Sequence, residues 1–249
     1  MYLDSNHGFN ARRKKLTVTL ASNPDQIRAA QALRYKVFAE EMQAKLNCKE
    51  PGIDQDLFDA YCEHLVALDE ESGEVVGTYR ILPPHQARKV GSYYSDTEFD
   101  LTRLQHIRSQ LVELGRTCVH PNYRSGATIA LLWNGLTQYM LKNNYQYMMG
   151  CASVSLNDGG HSAASLYRKI STESMAPIEW RVFPRCPLPI NALDSKVEIE
   201  TPALIKGYLR AGAVVCGEPA WDPDFNTADF LMLLPTQFIN KRYSSHFAR

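Results

Sequence analysis

Strands interleaved with helices predict an α/β chain built on one mixed sheet covered by helices. Three observations carry this. The alternating run Leu16 to Ala21 is followed by a helix start, with Asn23 as N-cap, Pro24 at the first helical position and Gln26 three residues after the cap. Two apolar runs, His64 to Asp69 and Val75 to Leu82, flank Glu71-Ser72-Gly73-Glu74 and read as a hairpin. A third run over 109–119 precedes a helical stretch, Ala127 to Lys142, and then a further strand, Gln146 to Ala152.

Taken in order, the first helix should run from Pro24 to about Met42, burying Ile27, Ala30, Val37 and Phe38, with Arg34 one turn before Phe38. Asn47 to Asp59 has no clean period, contains Pro51-Gly52 and carries Asp54, Asp56 and Asp59, so it reads as a loop rich in carboxylates. Pro83-Pro84 ends the hairpin, 85–100 reads as loop, and a short helix is expected over Leu101 to Ile107. The turn His120 to Gly126 leads into the helix at Ala127, whose Ile129, Leu132, Trp133, Leu136 and Met140 share one face. Ser162 to Ile170 reads as a helix, Pro184, Pro187 and Pro189 as a loop, Pro202 to Ala211 as a helix, Phe230 to Leu234 as a strand and Thr236 to Arg242 as a short helix. With no internal repeat or low-complexity linker, the expected organisation is a flexible basic arm over 1–15 and a single domain over 16–249, including a C-terminal extension from about 171.

Lys plus Arg and Asp plus Glu both number 27, so the net charge is zero, which argues against a nucleic-acid binder. No apolar run is long enough for a membrane span, and the first fifteen residues lack the apolar core of a signal peptide. The expected location is therefore the cytoplasm. Arg12-Arg13-Lys14-Lys15 is a solvated arm that could make peripheral contact with an anionic inner membrane. None of the six cysteines forms a CxxC pair, so no metal site is expected, and Cys118 and Cys151 read as small buried hydrophobes.

The most informative stretch is Leu111-Val112-Glu113-Leu114-Gly115-Arg116-Thr117-Cys118-Val119. A carboxylate and a guanidinium interrupt an apolar strand, and buried charges need partners or a cavity. In a regular strand, residues three apart face opposite ways; a bulge at Gly115 would bring Glu113 and Arg116 to one face. Singly, Arg34 could be a helix-surface arginine, Arg80 an edge-strand charge, and the aspartates a solvated loop. Together with Glu113 and Arg116 they form a cleft carrying both signs if the strands are neighbours. Such a cleft suits a zwitterion, with carboxylates for an amine and arginines for a carboxylate.

The series Arg34-x-x-x-Phe38, Asp54-x-Asp56-x-x-Asp59, Arg80 and Glu113-x-x-Arg116 resembles acyl-homoserine-lactone synthases. The surrounding words RYKVFAEEM, DLFDAYCEHLVALD, VGTYRIL, GSYYSDTEFDL, VELGRTCVHPNYR and LLWNGL resemble more closely the ornithine-lipid N-acyltransferases, often labelled hemolysin-like. The likeness runs from about Leu16 to Ile170, and PALIKGYLRAGA and ADFLMLLP extend it over nearly the whole chain. It implies a GNAT-like fold: a mixed, mostly antiparallel twisted sheet flanked by helices. It further implies transfer of a 3-hydroxyacyl chain from acyl carrier protein to the α-amine of ornithine, giving lyso-ornithine lipid. Glycine or another amino acid as acceptor, and a lactone synthase acting on S-adenosylmethionine, remain alternatives, as does an acetyltransferase using acetyl-CoA. A cytolytic protein is disfavoured, since no amphipathic pore-forming segment is present.

On this reading Glu113 is the first candidate for the base that frees the amine, Arg116 would orient it, and Asp56 is the second candidate or an amine binder. Arg34, Asp54, Asp59 and Arg80 would shape the amino-acid site, Arg80 either clamping the substrate carboxylate or holding the aspartate loop. No tightly bound cofactor is expected, the acyl chain arriving on the phosphopantetheine of acyl carrier protein. GNAT acetyltransferases carry a glycine-rich loop that cradles a pyrophosphate; here the corresponding turn has a single glycine, and Arg124, Ser125 and Gly126 before the next helix are the candidates to hold the one phosphate of a phosphopantetheine. Arg103, His106, Arg108, Arg124 and Lys142 are candidates for a basic patch facing the acidic carrier. Cys118 should pack in the core, and His64 and His120 are lesser candidates for an acid.

Overall fold

Residues 15–194 and 196–238 are described in the computed structural model. The strands are β1 (Leu16–Leu20), β2 (Glu63–Asp69), β3 (Val75–Leu82), β4 (Phe99–Asp100), β5 (Leu111–Val119), β6 (Tyr147–Ser155), β7 (Phe183–Pro184), β8 (Val214–Val215), β9 (Ala220–Asp222) and β10 (Thr227–Pro235). The helices are α1 (Pro24–Tyr35), α2 (Pro84–Val90), α3 (Ala127–Lys142), α4 (His161–Ser174) and α5 (Ala203–Ala211). The main sheet runs β1-β2-β3-β5-β6-β10-β8, with β9 on β10, and β4 pairs β7 apart from it. Every pair in the main sheet is antiparallel except β5–β6.

The caps and turns behave as the residues dictate. Asn23 accepts from the Gln26 amide at 3.0 Å, starting α1, and Asp69 accepts from the Glu71 amide at 2.9 Å, turning the hairpin. Pro84 opens α2 at a position read as loop: proline at the first helical residue costs nothing there because that N–H has no intrahelical partner. The α-helix from Pro24 stops at Tyr35 and widens into a π-turn over Lys36–Glu41, where the Met42 amide reaches back five residues to Val37 O at 3.0 Å. β10 extends beyond Phe230–Leu234 and pairs β6 over nine positions, so the segment past 171 supplies one interior strand of the same sheet, edged by β8 and β9. Of the helix expected over 236–242, only 236–238 are described, and residues 1–14 of the basic arm lie outside the described residues.

The sheet buries both faces. Val112, Met148, Phe230 and Met232 pack with Leu132 and Leu136 of α3 and Ile205 of α5 on one face. Leu82, Leu111, Met149, Leu231 and Leu233 pack with Phe58 and Ala87 on the other, and Cys118 joins Leu33 of α1 and Val37 and Phe38 of the π-turn there.

Candidate active site

Asp56 and Asp59 build their own support. Asp56 Oδ1 accepts the Phe58 and Asp59 amides at 2.8 and 3.2 Å, and Asp59 Oδ2 accepts the Asp56 amide at 3.1 Å, a reciprocal capping box on the 3₁₀ turn Leu57–Tyr61. The remaining lone pairs face arginines. Arg34, fully buried on α1, meets Asp54 Oδ2 at 2.7 Å through Nε and Asp59 Oδ1 at 2.9 Å through Nη1. Arg80 Nη1 on β3 bridges Asp56 Oδ2 at 2.7 Å and Asp59 Oδ2 at 2.9 Å. Arg116 completes the set more loosely, 3.4 Å from both Asp54 and Asp56. Arg34, Arg80 and Arg116 therefore balance Asp54, Asp56 and Asp59. Burial alone would raise the Asp59 carboxyl, but the charge and hydrogen bonds of Arg34 and the charge of Arg80 hold it well below the usual carboxylate range.

β5 carries the expected bulge one residue later than its glycine. Gly115 stays in register with Arg80, and Cys118 with Thr78, so the extra residue falls at Arg116–Thr117. Arg116 itself is left-handed, with φ 49°, a conformation costing a non-glycine residue about 1–3 kcal/mol. It turns the guanidinium to the face of Glu113, between the rings of Tyr94 and Phe225 at 4.9 and 5.0 Å. Gly115 is not needed for space, since a Cβ there would meet nothing within 4 Å.

Glu113 and Arg116 thus share a face but not a hydrogen bond. Arg116 pairs with the aspartates, and Glu113 is oriented instead by a segment read as loop. Glu113 Oε2 accepts the Tyr94 amide at 2.6 Å, and Oε1 accepts the Ser95 amide and hydroxyl at 2.7 and 2.6 Å. Asp96 holds that turn by accepting the Tyr93 amide at 2.8 Å and pairing with Arg108 at 2.7 Å. Burial pushes the Glu113 carboxyl above its ordinary value against these donors.

β5 and β6 pair only over Glu113–Leu111 and Met149–Tyr147, although both strands continue. Beyond Glu113 and Met149 they part. Gly150 allows the close approach at the fork, where a Cβ would lie 2.3 Å from Leu114 O. A cavity of about 390 Å³ passes through the sheet at this opening. On one side it is lined by Trp133, Leu136, Leu204, Tyr208, Met232 and Leu234, on the other by Arg80, Glu98, Glu113, Arg116, Asp222 and Asp229. Stacking of Trp133 on Tyr208, with centroids 5.0 Å apart, ties α5 to α3 over the apolar side.

The remaining expected residues lie apart from this chamber. Arg124 is held by both Glu41 oxygens, at 2.5 and 2.7 Å, and donates to Val119 O at 3.0 Å. Ser125 and Gly126 are exposed before α3, where left-handed Gly126, φ 87°, serves as N-cap. Of the basic patch, Arg103 donates to Ile178 O and Arg108 is paired with Asp96. Cys118 is buried among α1 residues, its thiol pushed up to about 12 by burial. His64 is buried, burial lowers its pKa, and neither ring nitrogen has a hydrogen-bond partner. Cys151 packs against the core and also lines the cavity. The sequence reading passed over Glu98 and Asp229. Asp229 interrupts the apolar run Thr227–Pro235, the same signal that marked Arg80 and Glu113. With Cys151 they are the group among the described residues whose donor atoms could meet at one cation, all within 4.8 Å of one another.

Residues 33–134 match the acetyltransferase (GNAT) domain family. An L-ornithine N(alpha)-acyltransferase of Agrobacterium fabrum (strain C58) is 36% identical over 97% of this chain and 88% of its own length. Another, from Rhodobacter capsulatus, is 37% identical over 93% of this chain and 94% of its own. The chain belongs to the L-ornithine N(alpha)-acyltransferase family. As an acyltransferase of that family it also shares its fold with a CoA-dependent acyl-homoserine lactone synthase, BjaI, at TM-score 0.56 and 16% identity over 94% of this chain and 89% of that one. Among the described residues of the acyltransferase no helix is long and apolar enough to cross a membrane.

Proposed function

We propose that the chain transfers a 3-hydroxyacyl group from the phosphopantetheine thioester of acyl carrier protein to the α-amine of ornithine. The observation that carries this is the two-sided cavity. Its product would have one charged end and one apolar chain, and the cavity has a charged side and an apolar side joined at the fork between β5 and β6. The thioester would sit at the fork, where unladdered backbone groups of both strands can pair with an extended amide-bearing arm. Arg124, Ser125 and Gly126, outside the chamber, would lie at its phosphate end, Arg124 having first to leave Glu41.

Glu113 would take the proton from the amine. Its Oε2 carries one of the three bonds made to the carboxylate and retains a lone pair for this. The amine nitrogen then bonds to the thioester carbon, a backbone N–H at the fork holds the oxyanion, and the C–S bond breaks. The departing thiolate takes up the proton held by Glu113, and Glu113 then takes the second proton from the acylated nitrogen and releases it to solvent, leaving the neutral amide. Arg116 is the better clamp for the substrate carboxylate, because its contacts are long and its Nε has no hydrogen-bond partner. Arg80 and Arg34 hold the aspartate loop in place, and Asp56 links that loop to Arg116. The leaving group needs no acid from His64 or His120.

The test is purified protein with 3-hydroxyacyl carrier protein and a panel of amino acids, following thiol release and product mass. Release with ornithine is expected; release with acetyl-CoA alone would sink the reading. Glu113→Gln should lower kcat by about 10²–10⁴, with partial recovery as rising pH frees the amine. Wild-type turnover would remove Glu113 from the mechanism.

A further inference from the structure

Glu113, Cys151, Ser153 and Asp229 share one face of three adjacent strands, β5, β6 and β10, with Asp229 opposite Ser153 in the β6–β10 ladder. Glu98 reaches this face from the turn that also orients Glu113. Its Oε2 accepts the Cys151 thiol at 3.3 Å, while Oε1 is buried and has no hydrogen-bond partner. Asp229 is 5% exposed and accepts the Thr227 hydroxyl at 3.0 Å. Neither acid forms an ion pair with a Lys, Arg or His among the described residues, and Asp222 adds a third negative charge to the same wall. Buried carboxylates without a protein cation must hold a proton or receive a cation from the ligand.

Resting on the reading above that the acceptor is an amino acid, we infer that Glu98 and Asp229 form the socket for its side-chain ammonium and select diamino acids over neutral ones. The spacing fits. Five bonds separate the two nitrogens of ornithine, which spans roughly 6 Å, and a hydrogen bond at each end adds about 3 Å. Glu113 connects to Glu98 within that reach: Glu113 Oε1 to Ser95 Oγ is 2.6 Å, Ser95 Oγ to Cys151 Sγ is 3.6 Å, and Cys151 Sγ to Glu98 Oε2 is 3.3 Å. With the α-amine at Glu113 and the carboxylate at Arg116, the side chain points along the β6–β10 face to this pair.

An ammonium donates three hydrogen bonds, and Glu98 Oε1, Asp229 and the Ser153 hydroxyl are acceptors on one wall. Burial and the charge of Asp229 hold the Glu98 carboxyl well above the usual range, so the pair is proton-loaded until a cation arrives. A metal ion fits less well. Cys151 would have to ligate as thiolate, and burial pushes its thiol upward.

The experiment compares ornithine with norvaline, which has the same carbon skeleton without the side-chain amine, as acceptors for the same acyl carrier thioester. Wild type should favour ornithine in kcat/KM by a hundredfold or more. Glu98→Gln and Asp229→Asn should cut that ratio at least tenfold. Glu98→Asp, which keeps the charge one methylene further back, should keep most of the discrimination and shift preference toward lysine. Equal use of ornithine and norvaline by wild type overturns the inference, whatever the variants do, and leaves amino-acid acylation standing. So does an unchanged ratio in Glu98→Gln. Loss of activity to a chelator with return on adding zinc would assign the three side chains to a metal and overturn it too. Failure of wild type to acylate any amino acid overturns the reading above and this inference with it.

Discussion

The Arg34–Asp59 network and the Glu98–Asp229 pair lie on the same face of the sheet, and both bury carboxylates. They differ in what surrounds them. Each aspartate of the network meets a guanidinium, and two of them also close a capping box. Glu98 and Asp229 meet a thiol, hydroxyls and each other. The first arrangement is complete without a ligand and anchors the loop Asp54–Asp59 to α1, β3 and β5. The second is incomplete, and incompleteness in a cavity wall marks a binding surface. Charge in the interior is therefore not one signal: compensated charge builds the wall, and uncompensated charge faces the substrate.

The sharpest break in this comparison is Asp59→Asn. It leaves Arg34 and Arg80 buried with one acid fewer, and should cost about 3–5 kcal/mol of unfolding free energy by denaturant titration. Acid should act on the same group. Its folded pKa lies below the unfolded value of about 3.9, so the stability it contributes is present above that pH and is lost as pH falls through the lower folded value. Glu98 and Asp229 have the opposite sign. Their folded pKa values lie above the unfolded ones, so stability is full below about pH 4 and declines as pH rises through the folded values. Asp229→Asn should therefore stabilise the protein at pH 9 by about 1 kcal/mol or more while changing little at pH 4. A loss at both pH values comparable to that of Asp59→Asn would erase the distinction. The smallest effect is expected at Cys118→Ala, which should keep turnover within about twofold, since the thiol is buried beside α1; a collapse of turnover there would reopen a covalent acyl-enzyme.

Much of this was legible in the chain. Charges interrupting apolar runs marked Arg80, Glu113 and Arg116, and regular periodicity marked β2, β3, β5 and α3. Three features were harder to read. The π-turn after Tyr35 leaves the apolar period intact, so it looks like continued α-helix. The 94–98 segment carries no periodicity, yet its backbone amides orient Glu113. The bulge was placed at Gly115 because glycine tolerates unusual backbone, whereas the left-handed residue is Arg116, held there by Asp54, Asp56 and two aromatic rings.

By itself, the sequence determined the element types, the hairpin, the charged strand and the chemical kinds of group available, because caps, turns and hydrophobic periods are local. Only the tertiary structure decided which acid meets which base. Arg116 pairs with residues about sixty positions away rather than with Glu113, three away. The fork between β5 and β6, which joins the charged and apolar chambers, exists only once both strands lie in one sheet. Pairing energies between distant residues are invisible to local pattern, and it is those pairings that separate the acids of the wall from the acids of the site.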